Sequence, residues 1–292
     1  GANCMSGYKY LFGPVPSRRL GASLGVSPIP ERTCNYSCVY CQLGRTLRMT
    51  NTRQEFFPLE EILTEFREYL RGSIPFDVVT VVGEGEPTLY SRLGELIAGL
   101  KKETDKPVAV ITNGALLYDA EMRRELMEAD IVLPSLDAVT EEQYRKIDRP
   151  MGSIGFAEMA EGLRQFAREY HGQLWIEFML VDGMNDSPED IAAFKEFLGT
   201  IDYDRVYLNT PVRPPAEGFV HTSAPERIDL AARELGGISI DQLTSGSFFS
   251  EVEDPYEAIL SIARRHPMNQ FEVESFLEAR EIPADQRQTL ME

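Results

Sequence analysis

The sequence predicts an α/β protein: an open, partial (β/α)6 barrel of the TIM type, followed by a small C-terminal helical module of winged-helix-like pattern. Three observations carry this. Six short runs rich in Val, Ile and Leu alternate with amphipathic stretches. Each run is apolar with little alternation, as expected for parallel strands covered on both faces. The polar segments that could carry chemistry each follow the C-terminal end of a run, the edge on which parallel α/β folds build their sites. Six units rather than eight point to an open barrel; a doubly wound sheet shares the same alternation and is the alternative on pattern alone.

In order, residues 1–5 read as a cloning scar, 6–220 as the barrel and 221–292 as the helical module. Residues 5–22, rich in glycine and proline, are read as turns carrying the pair Arg18-Arg19. The first strand is 24–29. A helix over 58–70, with Pro58 at its first turn, leads to strand 78–82. Helix 91–101 leads to strand 108–112, and helix 119–128 to strand 131–135. Helices 141–147 and 155–170 precede strand 174–181, and helix 188–198 precedes strand 205–209. Beyond Pro214-Pro215 come a helix at 225–234, a strand-like 238–240, and helices 256–265 and 269–280 joined like a helix-turn-helix. The last of these carries more glutamate than arginine, which favours packing or protein contact over reading nucleic acid.

The 292 residues are 43% hydrophobic and 26% charged, ordinary for a globular chain. Forty-seven acids against 29 bases give a net charge of −18, which opposes nonspecific attraction to a phosphate backbone. No apolar run approaches the ~20 residues of a membrane span and no signal-peptide pattern opens the chain, so a cytoplasmic protein with no membrane partner is expected.

Three cysteines lie within eight residues, Cys34, Cys38 and Cys41, spaced Cys-x3-Cys-x2-Cys. An odd, clustered trio is a poor disulfide framework and a good ligand set. Structural zinc is closed by four ligands, and ordinary iron–sulfur clusters use four cysteines. The histidines, His171, His221 and His266, are all distant in sequence. Three thiolates alone would leave one metal position open to something that is not protein. The competing reading is a zinc loop completed by a residue such as His221, in a non-enzymatic scaffold.

Other polar segments follow the strands. Gly83–Pro87 is a glycine-rich turn that lets backbone approach a ligand. Asn113-Gly114 and Ser135-Leu136-Asp137 end the next two strands. Glu177 interrupts an apolar strand, where an unpaired charge would be costly, so it needs a partner. Asp182–Asp186 reads as a turn capping the Pro188 helix. Arg18-Arg19, Arg149 and Arg213 suit either an anionic substrate or salt bridges.

The cysteine spacing, with Tyr40 before the last cysteine, resembles the cluster loop of the radical S-adenosylmethionine (SAM) superfamily. Gly85-Glu86-Pro87 is similar to that family's "GGEP" motif, with Glu84 in place of the first glycine; 112–114 is similar to "TNG" and 135–138 to "SLDA". The resemblance implies that Cys34, Cys38 and Cys41 hold a [4Fe–4S] cluster whose fourth iron binds SAM. It further implies that Gly85, Glu86 and Pro87 hold the methionine amine, that Asn113, Ser135 and Asp137 lie near the nucleoside, and that Tyr40 packs at the adenine. Glu177, Arg149 and Arg213 are the candidate catalytic residues. An electron donor such as flavodoxin or ferredoxin is implied as partner. Residues 11–45 resemble the uncharacterised wyosine-synthase-related group. True wyosine synthases carry a second cluster for which this chain has no spare cysteines. The substrate class stays open between an RNA base in tRNA, a protein or peptide (including activation of a glycyl-radical enzyme), and a small molecule.

Overall fold

A computed structural model describes residues 7–72, 74–211 and 215–240. An antiparallel hairpin, β1 (Leu11–Ser17) and β2 (Gly21–Val26), comes first, then two short pieces, β3 (Thr33–Cys34) and β4 (Arg48–Met49), that pair with each other. The alternation follows: α1 (Leu59–Leu70), β5 (Val78–Val81), α2 (Leu93–Glu103), β6 (Val108–Thr112), α3 (Ala120–Glu125) and β7 (Ile131–Pro134). Next come α4 (Glu141–Ile147), α5 (Phe156–Glu169), β8 (Gln173–Met179), α6 (Pro188–Leu198), β9 (Arg205–Asn209), α7 (Pro225–Leu235) and β10 (Ile238–Ser239). The main sheet runs β1-β2-β5-β6-β7-β8-β9-β10. From β2 to β10 every neighbouring pair is parallel. All six expected strands are present in chain order, and the sheet curls into an open barrel with β1 and β10 at its two ends.

Side chains alternate across each strand, and the two faces differ. Val79, Val81, Val108, Val110, Val132, Ile176, Phe178 and Leu208 point outward into one core with Ile62, Phe66, Leu96, Leu100, Phe166 and Phe194 of the helices. The inward residues Val78, Ala109, Leu133, Trp175 and Tyr207 form a second apolar layer that closes the bottom of the lumen, joined by Ile240. Two positions further along the strands the inward row is polar at Thr80, Ser135, Glu177 and Asn209, with Ile111 its apolar member.

Two features differ from expectation. Residues 11–17 form an edge strand instead of turns, and its register shifts between Phe12 and Val15, around Gly13-Pro14. Prolines are tolerated there because an edge strand, especially at a bulge, does not need every N–H for a neighbour. Second, the 221–292 stretch begins as part of the sheet layer. The helix expected at 225–234 is α7, which ends at Gly236 in the left-handed region, φ 63°. It returns β10 parallel to β9. The helices expected at 256–265 and 269–280, residues 1–5 and Arg213 lie outside the described residues.

Candidate cluster and cofactor site

The cysteine loop is stitched on both sides. On one side it meets the turn after β5: Arg32 N donates to Glu84 O at 2.5 Å, and Glu86 N donates to Thr33 O at 3.0 Å. This approach needs glycine, because a Cβ on Gly85 would lie 2.0 Å from the Thr33 carbonyl oxygen. On the other side it meets the end of α4. Ser37 N donates to Asp148 O (3.0 Å), Val39 N to Ile147 O (2.9 Å), and Met151 N to Asn35 O (3.0 Å).

Donors surround the sulfurs. Cys34 Sγ accepts from Tyr36 N at 3.3 Å and from Asn113 Nδ2 at 3.6 Å. The Cys38 thiol donates to Asp148 Oδ1 at 3.5 Å. Burial, then the charge of Glu86, pushes the Cys34 thiol up to about 12. Burial, then Asp148, holds Cys38 well above its ordinary value, and burial raises Cys41 against the backbone N–H groups of Leu43 and Gly44. Left to themselves these are thiols. A cationic group among them is what would make thiolates favourable.

The donor set fits a polynuclear iron–sulfur cluster. The ligand atoms gathered within 4.8 Å of one another are those of Cys38, Asp137 and Asp148, not the three sulfurs. Such a spread is wider than one ion's ligands and suits ligands shared among several metals.

Around this loop the other motifs are knitted together by buried polar groups. Glu86, 3% exposed, accepts from Thr88 N (3.1 Å), Thr112 Oγ1 (2.6 Å), Asn113 N (2.8 Å) and the Thr88 hydroxyl. Its carboxylate is therefore a strut between the 83–87 and 112–114 turns, and what this turn offers a ligand is backbone. Asn113 Nδ2 also donates to Asn35 Oδ1 at 2.7 Å. Tyr40 OH donates to Asp137 Oδ2 at 2.5 Å, while Asp137 Oδ1 accepts from Met179 N at 3.2 Å. Asp137 and Asp148 are both buried and raised above the ordinary carboxylate range, first by burial; for Asp148 the neighbouring Asp137 adds to it. Asn185 closes the turn after β8, donating to Asp137 O and Met179 O, each at 2.9 Å, and accepting from Val181 N at 2.8 Å.

Inside the lumen, Arg19 from the β1–β2 turn pairs with Glu177 of β8, each with a side chain 17% exposed. Asn209 Nδ2 lies 3.5 Å from Glu177 Oε1, and Ser23 and Thr80 share a hydrogen bond of 2.6 Å. Arg19, Ser23, Thr80 and Asn209 line a cavity of about 330 Å³, with Gly83 and Glu84 and with Gln42 and Leu43 from just beyond Cys41. Tyr40, Cys41 and Met179 line an adjoining hollow of about 230 Å³.

Comparison with known proteins decides what this arrangement belongs to. The sequence profile of the radical SAM superfamily matches residues 29–195, from just before the cysteine loop into α6. The chain belongs to the radical SAM superfamily. A UPF0026 protein of Methanocaldococcus jannaschii is 34% identical over 285 residues, covering 94% of this chain and 88% of that protein. A Brachyspira hyodysenteriae protein named GTPase Obg is 43% identical over 205 residues, or 70% of this chain; the match spans only 30% of that protein. Among solved structures, TYW1 with a lysine–pyruvate adduct bound superposes with a TM-score of 0.54 at 21% identity, covering 80% of this chain and 77% of that one. That likeness is one of fold. Radical SAM proteins use a [4Fe–4S] cluster and SAM and need an electron donor, so membership implies an enzyme. No helix among the described residues is long and apolar enough to cross a membrane.

In this radical SAM chain the structure brings Cys34, Cys38, Cys41, Gly85, Glu86, Asn113, Tyr40 and Asp137 into one connected network. Pro87 starts a short 3₁₀ turn and is buried. Ser135 bridges to Glu177 on the neighbouring strand. Arg149 does not join the lumen: its Nε donates to Ser37 O and its Nη1 to Glu217 at 2.8 Å, behind the cysteine loop. Its backbone is left-handed, φ 44°. His221, the distant ligand a zinc loop would call on, is exposed, and its carbonyl accepts from Asp182 N. Sequence reading did not single out Asn35, Asp148 or Glu217. Asn35 sits inside the cysteine motif, so a buried polar residue beside a ligand was the available signal, and Asp148 directly follows the helix expected at 141–147. Glu217 had none.

Proposed function

We propose that this chain reductively cleaves SAM at a [4Fe–4S] cluster held by Cys34, Cys38 and Cys41, and directs the product radical at a substrate in the barrel lumen. When bound, the cluster supplies the electron that splits SAM into methionine and a 5′-deoxyadenosyl radical, which takes hydrogen from the substrate. The observation that carries this reading is the stitching of the cysteine loop to the 83–87 turn beside a cavity lined by Gly83 and Glu84 of that turn and by Gln42 and Leu43, which follow Cys41 directly. Gly85 and its neighbours offer backbone acceptors for the methionine amine, with Glu86 holding that turn rigid. Asn113, Ser135, Asp137 and Tyr40 would border the nucleoside, while the apolar lower layer of the lumen excludes water. Arg19, paired with Glu177, gives the cavity wall a polar surface, which suits a polar group on an RNA base or on a polypeptide side chain. The donor would be flavodoxin or ferredoxin.

The test is 5′-deoxyadenosine formation by anaerobically reconstituted protein with SAM and dithionite, alone and with RNA, protein or small-molecule fractions. Product is expected with native protein and none with Cys38→Ala, which should also lose iron. Product from a Cys38→Ala protein would sink the reading. Stimulation by one fraction identifies the substrate class, and an RNA, a polypeptide such as a glycyl-radical enzyme, or a small molecule each give a different pattern.

A further inference from the structure

We propose that Asn35 is a positioning residue for the cluster: it holds the Asn113 side-chain amide against Cys34 Sγ, and the N–H so placed makes the cluster easier to reduce. This rests on the cluster assignment above. Three asparagines run in a chain beside the first cysteine. Asn113 Nδ2 donates to Asn35 Oδ1 at 2.7 Å and to Cys34 Sγ at 3.6 Å. Asn35 Nδ2 donates in turn to Asn51 Oδ1 at 3.1 Å. The orientation of all three amides is fixed from one end. Ala115 N donates to Asn113 Oδ1 at 3.0 Å. A backbone N–H can only donate, so Asn113 must turn its Nδ2 toward Asn35 and the sulfur. Asn35 must then meet it with Oδ1, which sends its own Nδ2 to Asn51. The backbone is pinned on both sides of this chain: Met151 N donates to Asn35 O at 3.0 Å and Thr50 N to Cys34 O at 3.1 Å.

Burial gives this arrangement its force. Asn35 is 0% exposed, so water does not replace a lost partner. Turning its amide over would set donor against donor at Asn113 and acceptor against acceptor at Asn51. As a thiol, Cys34 can itself donate to Asn35 Oδ1, 3.9 Å away. As a metal ligand its sulfur only accepts, and the Asn113 amide then joins the backbone N–H of Tyr36, at 3.3 Å, as a donor to it. The other two sulfurs have different company. Cys38 faces the Asp148 carboxyl, and Cys41 meets the backbone N–H groups of Leu43 and Gly44. Reduction brings one electron from the reductant, with no bond formed or broken, and leaves more negative charge on the ligand sulfurs. Hydrogen bonds to those sulfurs stabilise that charge and raise the potential, and the groups that orient the donors set how well they do so.

The experiment uses the reconstituted full chain, native and with Asn35→Leu or Asn51→Asp, the latter keeping an acceptor oxygen for Asn35 Nδ2. The midpoint potential of the cluster is read by redox titration with electron paramagnetic resonance, without SAM, and iron content is the control. Asn35→Leu is expected to lower the one-electron reduction constant about three- to tenfold, a downward shift of roughly 30–60 mV, at native iron content. Asn51→Asp should shift the potential by less. A native potential in iron-replete Asn35→Leu protein would overturn the proposal. A second measurement needs no variant and decides alone if Asn35→Leu binds too little iron to titrate. Native protein whose asparagine side-chain amides carry heavy nitrogen should show a hyperfine coupling between that nitrogen and the reduced cluster, and its absence would overturn the proposal. Either failure leaves SAM cleavage by native protein untouched. Potentials that shift as expected in a protein that forms no 5′-deoxyadenosine would defeat the proposed function and leave the role of Asn35 standing.

Discussion

A methyl group at position 85 would sit 2.0 Å from the Thr33 carbonyl, on backbone that cannot swing aside. Gly85→Ala is therefore expected to push the cysteine loop off the 83–87 turn while the outer core stays packed. Iron bound after reconstitution should fall several-fold with far-ultraviolet circular dichroism unchanged; native iron content in a folded variant would refute the close approach. Glu217 shows a different residue-scale effect. Arg45 and Arg149 hold its carboxyl down to about 2, below the unfolded value of about 4.3. A depressed acid stabilises the native state above the unfolded pKa and loses that contribution as pH falls toward the folded one. Glu217→Gln should accordingly be less stable than native by a constant margin between pH 7 and 5. The margin should narrow below about pH 4.3, as read by urea unfolding at each pH.

Among the elements, those with an unbroken apolar run or a chemically marked start were legible. Strand 108–112 and helices 141–147 and 188–198 match β6, α4 and α6 to the residue. Helix α6 was readable because its start is chemically marked: Ser187 and Asp190 form a reciprocal capping box with Pro188 at the first turn. Strand β1 was not, since Gly13, Pro14 and Pro16 carry turn chemistry and only the edge position makes them compatible with pairing. The turn after β8 lies between these cases. Its composition announced a cap, but not that Asn185 would reach back to Asp137 O and Met179 O. Such long-range polar bonds leave no periodic trace. Removing them with Asn185→Ala should cost on the order of 2–3 kcal/mol, because buried backbone groups lose their partners. Chemical denaturation measures this, and a cost under about 0.5 kcal/mol would show the turn to be held by other contacts.

At the scale of the whole molecule, sequence pattern put the motif loops on one edge of the sheet because each of them follows a parallel strand. It did not pair Arg19 with Glu177, which are separated by most of the barrel and meet only because the sheet curls. Glu177→Ala leaves the Arg19 charge without its partner in the lumen and should cost about 3 kcal/mol. Replacing both with methionine should recover most of that loss while impairing substrate-stimulated turnover. Urea unfolding of the three variants checks the first part and 5′-deoxyadenosine yield the second. The strand order also ties the last strand to the chamber. Ile240, directly after β10, forms part of the cavity wall, so a change of side-chain size there would reshape the chamber from the end of the sheet opposite the hairpin.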